Sequence, residues 1–139
     1  MKRNILILMV ILSFTALNGH AQCSGKSAGA ISGGGIGIII YSNDAETVFN
    51  ALRLANYSIT AGDTVKIFLL GKGVELDTLA SQHADIRMQV GLFTNSGGLI
   101  LGCGTCLKSR NMLKPQYCTM SSMGDLYDIV KKSKIVLTF

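Results

Sequence analysis

The chain has 139 residues, which favours a single domain, and it is weakly basic, with 13 Lys and Arg residues against 8 Asp and Glu residues. It contains no Trp and no run of basic residues, so its composition gives no support to nucleic-acid binding. Its 4 Cys residues keep thiol, disulfide and metal chemistry open as functions.

The first residues have the three parts of a secretory signal peptide. Lys2 and Arg3 are positively charged, Ile5 to Leu17 is an apolar segment, and Gly19-His20-Ala21 offers small residues for cleavage. We predict a signal peptide over residues 1–21 that is removed from the mature chain, and therefore a periplasmic or secreted protein. Its removal lowers the formal net charge from +5 to +3, because eleven basic residues then face eight acidic ones.

Two other interpretations of the N-terminus stay open. An uncleaved membrane anchor would need a longer apolar run, because a membrane-spanning helix takes about 20 residues. A lipoprotein would carry its lipid on Cys23, although Gln22 occupies a position where lipid attachment favours a small residue. Without lipid, Cys23 is a free or intermolecular thiol, or a partner of Cys118. Once the signal peptide is removed, we expect no association with a membrane.

A stretch rich in Gly, Ser and Ala over residues 22–35 predicts a flexible linker. Residues 36–139 then alternate apolar strand patterns with amphipathic helix patterns. The predicted strands are, in chain order, Ile36–Tyr41, Val65–Leu70, Leu99–Leu101, Tyr117–Met120 and Ile135–Phe139. Strands that alternate with helices predict an α/β domain, in which a parallel sheet is covered by helices on both faces.

Each helix between these strands is expected to bury one apolar stripe. Asn43, with Glu46 three residues on, starts the first helix, and Ser122, with Asp125 three residues on, starts the last. The expected stripes are Val48, Ala51, Leu52, Ala55 and Ile59 in the first helix, Leu76, Leu79, Ala80, His83, Ile86 and Val90 in the second, and Met123, Leu126, Ile129 and Val130 in the last.

The candidate site lies in the segment Gly102-Cys103-Gly104-Thr105-Cys106, where a predicted strand gives way to a short helical turn. Sites of parallel sheets lie at the carboxyl ends of strands, which is where Cys103 falls. Backbone N–H groups and the dipole at the start of a helix stabilise a thiolate, and Lys108 and Arg110 add positive charge. We predict that Cys103 is the reactive thiol and that Cys106 is its partner.

Three segments are similar, in the same order, to segments of one family. They are Leu70-Gly71-Lys72-Gly73-Val74, Gly97-Gly98 through Cys103-Gly104-Thr105-Cys106-Leu107 with Arg110, and Met120-Ser121-Ser122-Met123-Gly124-Asp125-Leu126 with Ile135–Phe139. Together they resemble the DsrE family, which includes the sulfur-relay subunits DsrE and TusD. The resemblance covers residues 36–139 and implies a flavodoxin-like sheet of about five strands, in a homo- or hetero-oligomer. Asn111 stands where relatives often have Gly, and Asn tolerates a left-handed backbone.

In relay members of this family the thiol that matches Cys103 carries a sulfur atom as a persulfide, and the resemblance implies that role for Cys103. The residues expected to bind the sulfur compound are Gly104, Thr105, Lys108 and Arg110. The expected partners are sulfur donor and acceptor proteins or small sulfur compounds, together with further copies of the chain in a homo-oligomer. The predicted export and the second thiol, Cys106, both depart from the simplest relay scheme.

Three functions stay open for this pair of cysteines. A sulfur carrier would accept sulfane sulfur on Cys103 and pass it to a partner. A thiol–disulfide oxidoreductase would use Cys103 and Cys106 together. A non-catalytic oligomeric binding module would keep the pair as a structural disulfide, which is the favoured pairing among the three connectivities that four cysteines allow.

No cofactor and no metal are expected. Cys103, Cys106, Cys118 and His83 could supply four zinc ligands, but no second Cys-x-x-Cys accompanies the first. Haem attachment is excluded, because Leu107 follows Cys106 where a His is required. His83 is expected to be a packed helix residue, with a base beside Cys103 as the alternative, and Cys118 a small buried side chain.

Overall fold

A computed structural model describes residues 35–139. The predicted signal peptide over residues 1–21, the linker up to residue 34 and Cys23 lie outside the described residues. The strands are β1 (Ile36–Ile40), β2 (Val65–Leu69), β3 (Leu99–Cys103), β4 (Thr119–Ser121) and β5 (Ile135–Thr138). The helices are α1 (Ala45–Thr60), α2 (Leu76–Gln82), α3 (Ala84–Asn95), α4 (Gly104–Ser109) and α5 (Met123–Lys132), and a 3₁₀ turn spans Gly71–Glu75. In this part of the chain, none of the helices has the length and apolar character to cross a membrane.

The five strands form one parallel sheet in the order β4-β3-β2-β1-β5. From β1 to β4 each connection moves the chain one strand in the same direction, so right-handed crossovers place α1 to α4 on one face. The return from β4 to β5 runs the other way and places α5 on the opposite face. The prediction of a five-stranded parallel α/β sheet with helices on both faces is confirmed.

The core is built on the three central strands and the helices α1 to α3. The register of the sheet aligns Ile38 with Ile67, and Ile67 with Ile100, so that one apolar row crosses the three strands. The helices contribute fully or almost fully buried side chains at Val48, Ala51, Leu52, Leu76, Ile86, Val90 and Phe93. This packing holds the carboxyl ends of β1, β2 and β3 side by side at one edge of the sheet.

The predicted second helix is in fact two helices, α2 and α3, because the chain is extended at His83, with φ −122° and ψ 108°. The His83 N–H still donates to the Leu79 carbonyl at 2.8 Å and closes α2. The rest of the predicted stripe is buried, at Leu76, Leu79, Ala80, Ile86 and Val90. His83 itself is half-buried at the junction of the two helices.

The apolar stripe predicted for α5 is wrong at two of its residues. Ile129 is 4% exposed and Leu126 is half-buried, whereas Met123 is 60% exposed and Val130 is 45% exposed. Within residues 35–139, α5 has no neighbouring helix on its face of the sheet, so only a narrow strip of it is covered. That strip is packed closely, because a Cβ at Gly37 would lie 2.6 Å from Ile129 Cγ2.

The capping contacts confirm one predicted helix start and correct the other. At α5 the Ser122 side chain accepts from the Asp125 N–H and the Asp125 side chain accepts from the Ser122 N–H, which completes a capping box. At α1 the N-cap is Asp44 rather than Asn43, because Asp44 accepts from the Thr47 N–H at 2.8 Å. The Asn43 side chain is therefore available for a contact elsewhere.

Candidate functional site

Cys103 ends β3 and is the N-cap residue of α4, at the carboxyl edge of the sheet. Its Sγ accepts a hydrogen bond from the Cys106 N–H at 3.4 Å, so the sulfur takes the place of the oxygen in an ordinary N-cap. An N–H donor at this position can support a negative charge on the sulfur. Cys103 is only 5% exposed, so only small molecules have ready access to its sulfur.

Cys106 lies three residues further on, within α4, and is half-buried. Burial raises the pKa of the Cys106 thiol, and a hydrogen bond to Cys103 and the charge of that sulfur raise the pKa further. The Gly71 N–H and the positive charge of Arg110 oppose this rise. Cys106 therefore keeps its proton at neutral pH, and its thiol acts as a hydrogen-bond donor to Cys103.

Three side chains from separate elements form a polar cluster beside this pair. Glu75, at the end of the 3₁₀ turn, accepts hydrogen bonds from Arg110 Nε at 2.9 Å and from Asn43 Nδ2 at 2.9 Å. Arg110 also donates from Nη1 to the Cys106 carbonyl at 3.3 Å. The Asn43 hydrogen bond, followed by the contact with Arg110, lowers the pKa of Glu75, so its carboxylate is ionised at neutral pH.

Glu75 and Asn43 were not identified from the sequence as residues of the candidate site. Asn43 follows β1, Glu75 follows β2 and Cys103 ends β3, so all three lie at or beyond the carboxyl ends of neighbouring strands. Because the carboxyl ends of parallel strands meet at one edge, the polar residues after β1 and β2 could have been singled out by that rule. The contact itself could not, because Glu75 and Arg110 are 35 residues apart in the chain.

The loop after β2 reaches the cysteine pair through its backbone. Gly71 has φ +56°, and its N–H lies against the Cys106 sulfur. Gly73 approaches the Ile40 carbonyl so closely that a Cβ at this position would overlap the oxygen. The loop therefore depends on glycine at both positions, and it forms one wall of the thiol site.

The four residues expected to bind a sulfur compound occupy different environments. Arg110 lies beside the pair, with its side chain 31% exposed. Gly104 packs against β4, where a Cβ would come within 3.1 Å of the Ser121 carbonyl oxygen. Thr105 and Lys108 lie at exposed positions of α4. Gly104 and Thr105 lie between the two cysteines in the chain, and Arg110 contacts the same turn through its guanidinium, which donates to the Cys106 carbonyl.

Cys118 is a third thiol, which lies just before β4. It packs against β3, where a Cβ at Gly102 would lie 2.7 Å from Cys118 Sγ. Burial raises the pKa of Cys118 to about 11, and the negative charge of Asp77 contributes to the rise. Cys118 therefore stays protonated at neutral pH and fills the space above Gly102, in agreement with the expected packing role.

Cys103, Cys106 and Cys118 are free thiols in the structure, and the disulfide expected between Cys103 and Cys106 stays a prediction. Among residues 35–139, no three His, Cys, Asp or Glu side chains form a group that could hold a metal ion. A groove of about 520 Å³ lies away from the cysteines and is lined by Asn50, Arg53, Leu54, Asn56, Tyr57, Thr60 and Gln89. None of the residues that line this groove belongs to the thiol site.

The chain matches the DsrE/DsrF-like family over residues 35–139. It is 30% identical over 100 residues to the uncharacterized protein MJ0989 of Methanocaldococcus jannaschii, and the match covers 68% of this chain and 88% of that protein. It is 29% identical over 100 residues to the uncharacterized protein MK0008 of Methanopyrus kandleri, with 68% of this chain and 83% of that protein covered.

Two solved structures share the fold. The ychN protein from E. coli has a TM-score of 0.65 at 20% identity, over 77% of this chain and 99% of its own. BT1422 from Bacteroides thetaiotaomicron, a conserved protein of unknown function, has a TM-score of 0.63 at 21% identity, over 76% of this chain and 94% of its own. Because the family match covers every residue from Gly35 to Phe139, the chain belongs to the DsrE/DsrF-like family.

Proposed function

We propose that this protein is an exported sulfur carrier, which takes up sulfane sulfur as a persulfide on Cys103 and passes it to an acceptor. The observation that carries the proposal is the Cys103 Sγ at the sheet edge, which accepts the Cys106 N–H at 3.4 Å beside the Cys106 thiol. Membership of the DsrE/DsrF-like family supports a protein of the sulfur-relay type. Export to the periplasm or the cell exterior rests on the signal-peptide pattern of residues 1–21.

Uptake of sulfur by this site needs no external oxidant. The Cys103 thiolate attacks the sulfane sulfur of a persulfide or polysulfide donor, a new S–S bond forms, and the donor leaves as a thiolate with the electron pair of the broken bond. Delivery is the same exchange in reverse, because an acceptor thiolate attacks the terminal sulfur and Cys103 leaves as a thiolate. Atoms and electrons balance in both steps.

The burial of Cys103 favours small donors. At 5% exposure the sulfur is accessible to inorganic polysulfide or a low-mass persulfide more readily than to a large substrate. Such compounds are anions, and the Arg110 guanidinium beside the pair attracts them. Gly104, Thr105 and Lys108 form the first turns of α4 around Cys103 and complete the proposed binding site.

A thiol–disulfide oxidoreductase is the second candidate, because the same two sulfurs can form a disulfide. Cys106 would attack the Cys103 sulfur of a persulfide, expel hydrosulfide and leave a Cys103–Cys106 disulfide. Only the thiolate attacks, so the raised pKa of Cys106 slows this step at neutral pH. The raised pKa of Cys106 therefore favours the carrier over the oxidoreductase.

We also propose that the protein forms a homo-oligomer. The α5 side chains of Met123, Tyr127 and Val130 are 60%, 63% and 45% exposed in a single chain. Apolar side chains that gather on one exposed helix face are typical of contact surfaces between proteins. The partner proposed for this face is a second copy of the chain.

The intact mass of the purified protein, before and after treatment with inorganic polysulfide, tests the carrier proposal. We expect a gain of one sulfur atom that a reductant removes, and no gain in Cys103→Ser. Cys118→Ser is the matched control and should load sulfur as the wild type does, because Cys118 is a thiol outside the pair.

Other results would contradict the carrier in distinct ways. A protein that loses two hydrogens without gaining sulfur, and recovers them with reductant, would support the oxidoreductase. A purified protein that already holds a Cys103–Cys106 disulfide, and that takes up no sulfur from polysulfide after reduction, would support the non-catalytic binding module.

A further inference from the structure

Arg110 is anchored at the end of the cysteine turn by three hydrogen bonds. Its Nε donates to Glu75 Oε1 at 2.9 Å, and its Nη1 donates to the Cys106 carbonyl at 3.3 Å and to the exposed Ser109 Oγ at 3.4 Å. Directly after it, Asn111 has φ +56°, the left-handed conformation expected for this position, so the chain turns away from the site. The ionic hydrogen bond to Glu75 is the shortest of the three and therefore the main anchor of the guanidinium.

Glu75 is itself fixed in position. Its Oε1 binds Arg110, and its Oε2 accepts from Asn43 Nδ2 at 2.9 Å. It ends a 3₁₀ turn whose Gly73 N–H donates to the Leu70 carbonyl at 2.9 Å. A carboxylate that is held at both oxygens on a closely packed turn has little freedom to rotate, so it can orient the group that it binds.

We propose that Glu75 is a positioning residue of the thiol site, which holds the Arg110 guanidinium beside Cys103 and Cys106 so that the site prefers anionic sulfur compounds to neutral ones. This inference rests on the proposed sulfur-carrier function and specifies its substrate class. Without Arg110, a carboxylate near the thiols would repel anions. If Glu75 positions Arg110, its removal should make the thiols react less readily with anions. If Glu75 acts only as a negative charge, its removal should make them react more readily with anions.

The test compares the alkylation of the full-length protein by iodoacetate, an anion, and by iodoacetamide, which is neutral. The ratio of their rate constants at Cys103 and Cys106, measured by peptide mass spectrometry, reports the charge that surrounds these thiols. We expect Arg110→Ala and Glu75→Ala each to lower the iodoacetate-to-iodoacetamide ratio by about threefold or more. The double variant should fall no further than Arg110→Ala alone, because Glu75 acts through Arg110.

Two results would overturn the proposal. One is a higher ratio in Glu75→Ala, which would show that the carboxylate acts only as a negative charge. The other is a double variant in which the reductions of the ratio seen in Arg110→Ala and in Glu75→Ala add together. Glu75→Gln keeps an oxygen acceptor for Arg110 and should therefore keep or raise the ratio. If the carboxylate is merely structural, Glu75→Gln should instead behave like Glu75→Ala.

Thermal unfolding shows whether each variant keeps the fold. If Glu75→Ala does not fold, Asn43→Ala serves as a milder variant, because it removes only one hydrogen bond to Glu75. Asn43→Ala should lower the iodoacetate-to-iodoacetamide ratio by less than Glu75→Ala does. If Asn43→Ala leaves the ratio unchanged, that result counts against a positioning role for Glu75. Sulfur loading from polysulfide is measured separately. A wild type that never loads sulfur would reject the carrier function, while the alkylation ratios would still decide the role of Glu75.

Discussion

At the scale of single residues, the raised pKa of Cys106 makes the fate of a persulfide depend on pH. As the pH rises, more Cys106 becomes thiolate, attacks the Cys103 persulfide and releases hydrosulfide. We therefore expect the decay of the loaded wild type to accelerate by about tenfold per pH unit while Cys106 is mostly protonated. Intact mass, followed over time between about pH 6 and pH 9, measures this decay.

Two variants test whether Cys106 is the source of that dependence. Cys106→Ser should keep its persulfide with little change across the same pH range, because it has no second thiolate in the pair. Cys118→Ser should decay like the wild type, since burial holds the pKa of Cys118 at about 11 and the residue lies outside the pair. If Cys106→Ser decays with the wild-type dependence, hydroxide or solvent rather than Cys106 removes the sulfur.

The sequence predicts residues well where one local pattern decides their place. The apolar run before Cys103 predicts a strand, and the glycines around it predict a turn, so the N-cap position of Cys103 could be expected. Glu75 could not be found in this way, because its two hydrogen-bond partners lie 32 and 35 residues away in the chain. The position of the candidate thiol was therefore predictable, and the contacts of Glu75 with Asn43 and Arg110 were not.

At the scale of elements, α5 depends on its first turn, because few of its side chains are buried. Hydrogen bonds from Ser121 and Ser122 lower the pKa of Asp125 to about 2. A carboxyl whose pKa is depressed by folding stabilises the fold above its unfolded pKa of 3.8, and this contribution is lost as the pH falls towards 2. Ser122→Ala should lower the free energy of unfolding by about 1 kcal/mol at neutral pH.

Urea unfolding at neutral pH and near pH 3 measures both parts of this prediction. The difference between wild type and Ser122→Ala should shrink at the lower pH, because the unfolded chain then binds a proton at Asp125 while the folded carboxylate is still mostly ionised. Ser96→Ala is the control, because Ser96 is an exposed Ser at the other end of a helix, the C-cap of α3. An equal loss in both variants would mean that the capping box adds nothing specific.

The elements also show where local patterns stop being sufficient. The alternation of apolar segments predicted every strand to within a few residues, including β4 and β5, whose residues are half-buried or exposed. The break at His83 was missed, because the apolar spacing continues across it while the backbone becomes extended. The exposure of Met123 and Val130 was missed because it depends on which face of the sheet α5 covers, and that is a property of the topology.

At the scale of the whole molecule, the sheet order leaves α5 without a neighbouring helix on its face among residues 35–139, and this exposed face is a surface that a second copy can cover. Met123, Tyr127 and Val130 lie along one side of α5, and each is at least 45% exposed. We expect the wild type to sediment as a dimer or a larger homo-oligomer. Tyr127→Glu should weaken that association by about tenfold or more, because a carboxylate would be buried in the contact.

Leu92→Glu is the matched control, because Leu92 is a 50% exposed apolar residue of α3, on the opposite face of the sheet. It should leave the sedimentation behaviour unchanged. If Leu92→Glu dissociates the oligomer and Tyr127→Glu does not, the contact lies on the face of α1 and α3. If the wild type is a monomer at every concentration tested, the homo-oligomer proposal is wrong, and the exposed side of α5 requires a different partner.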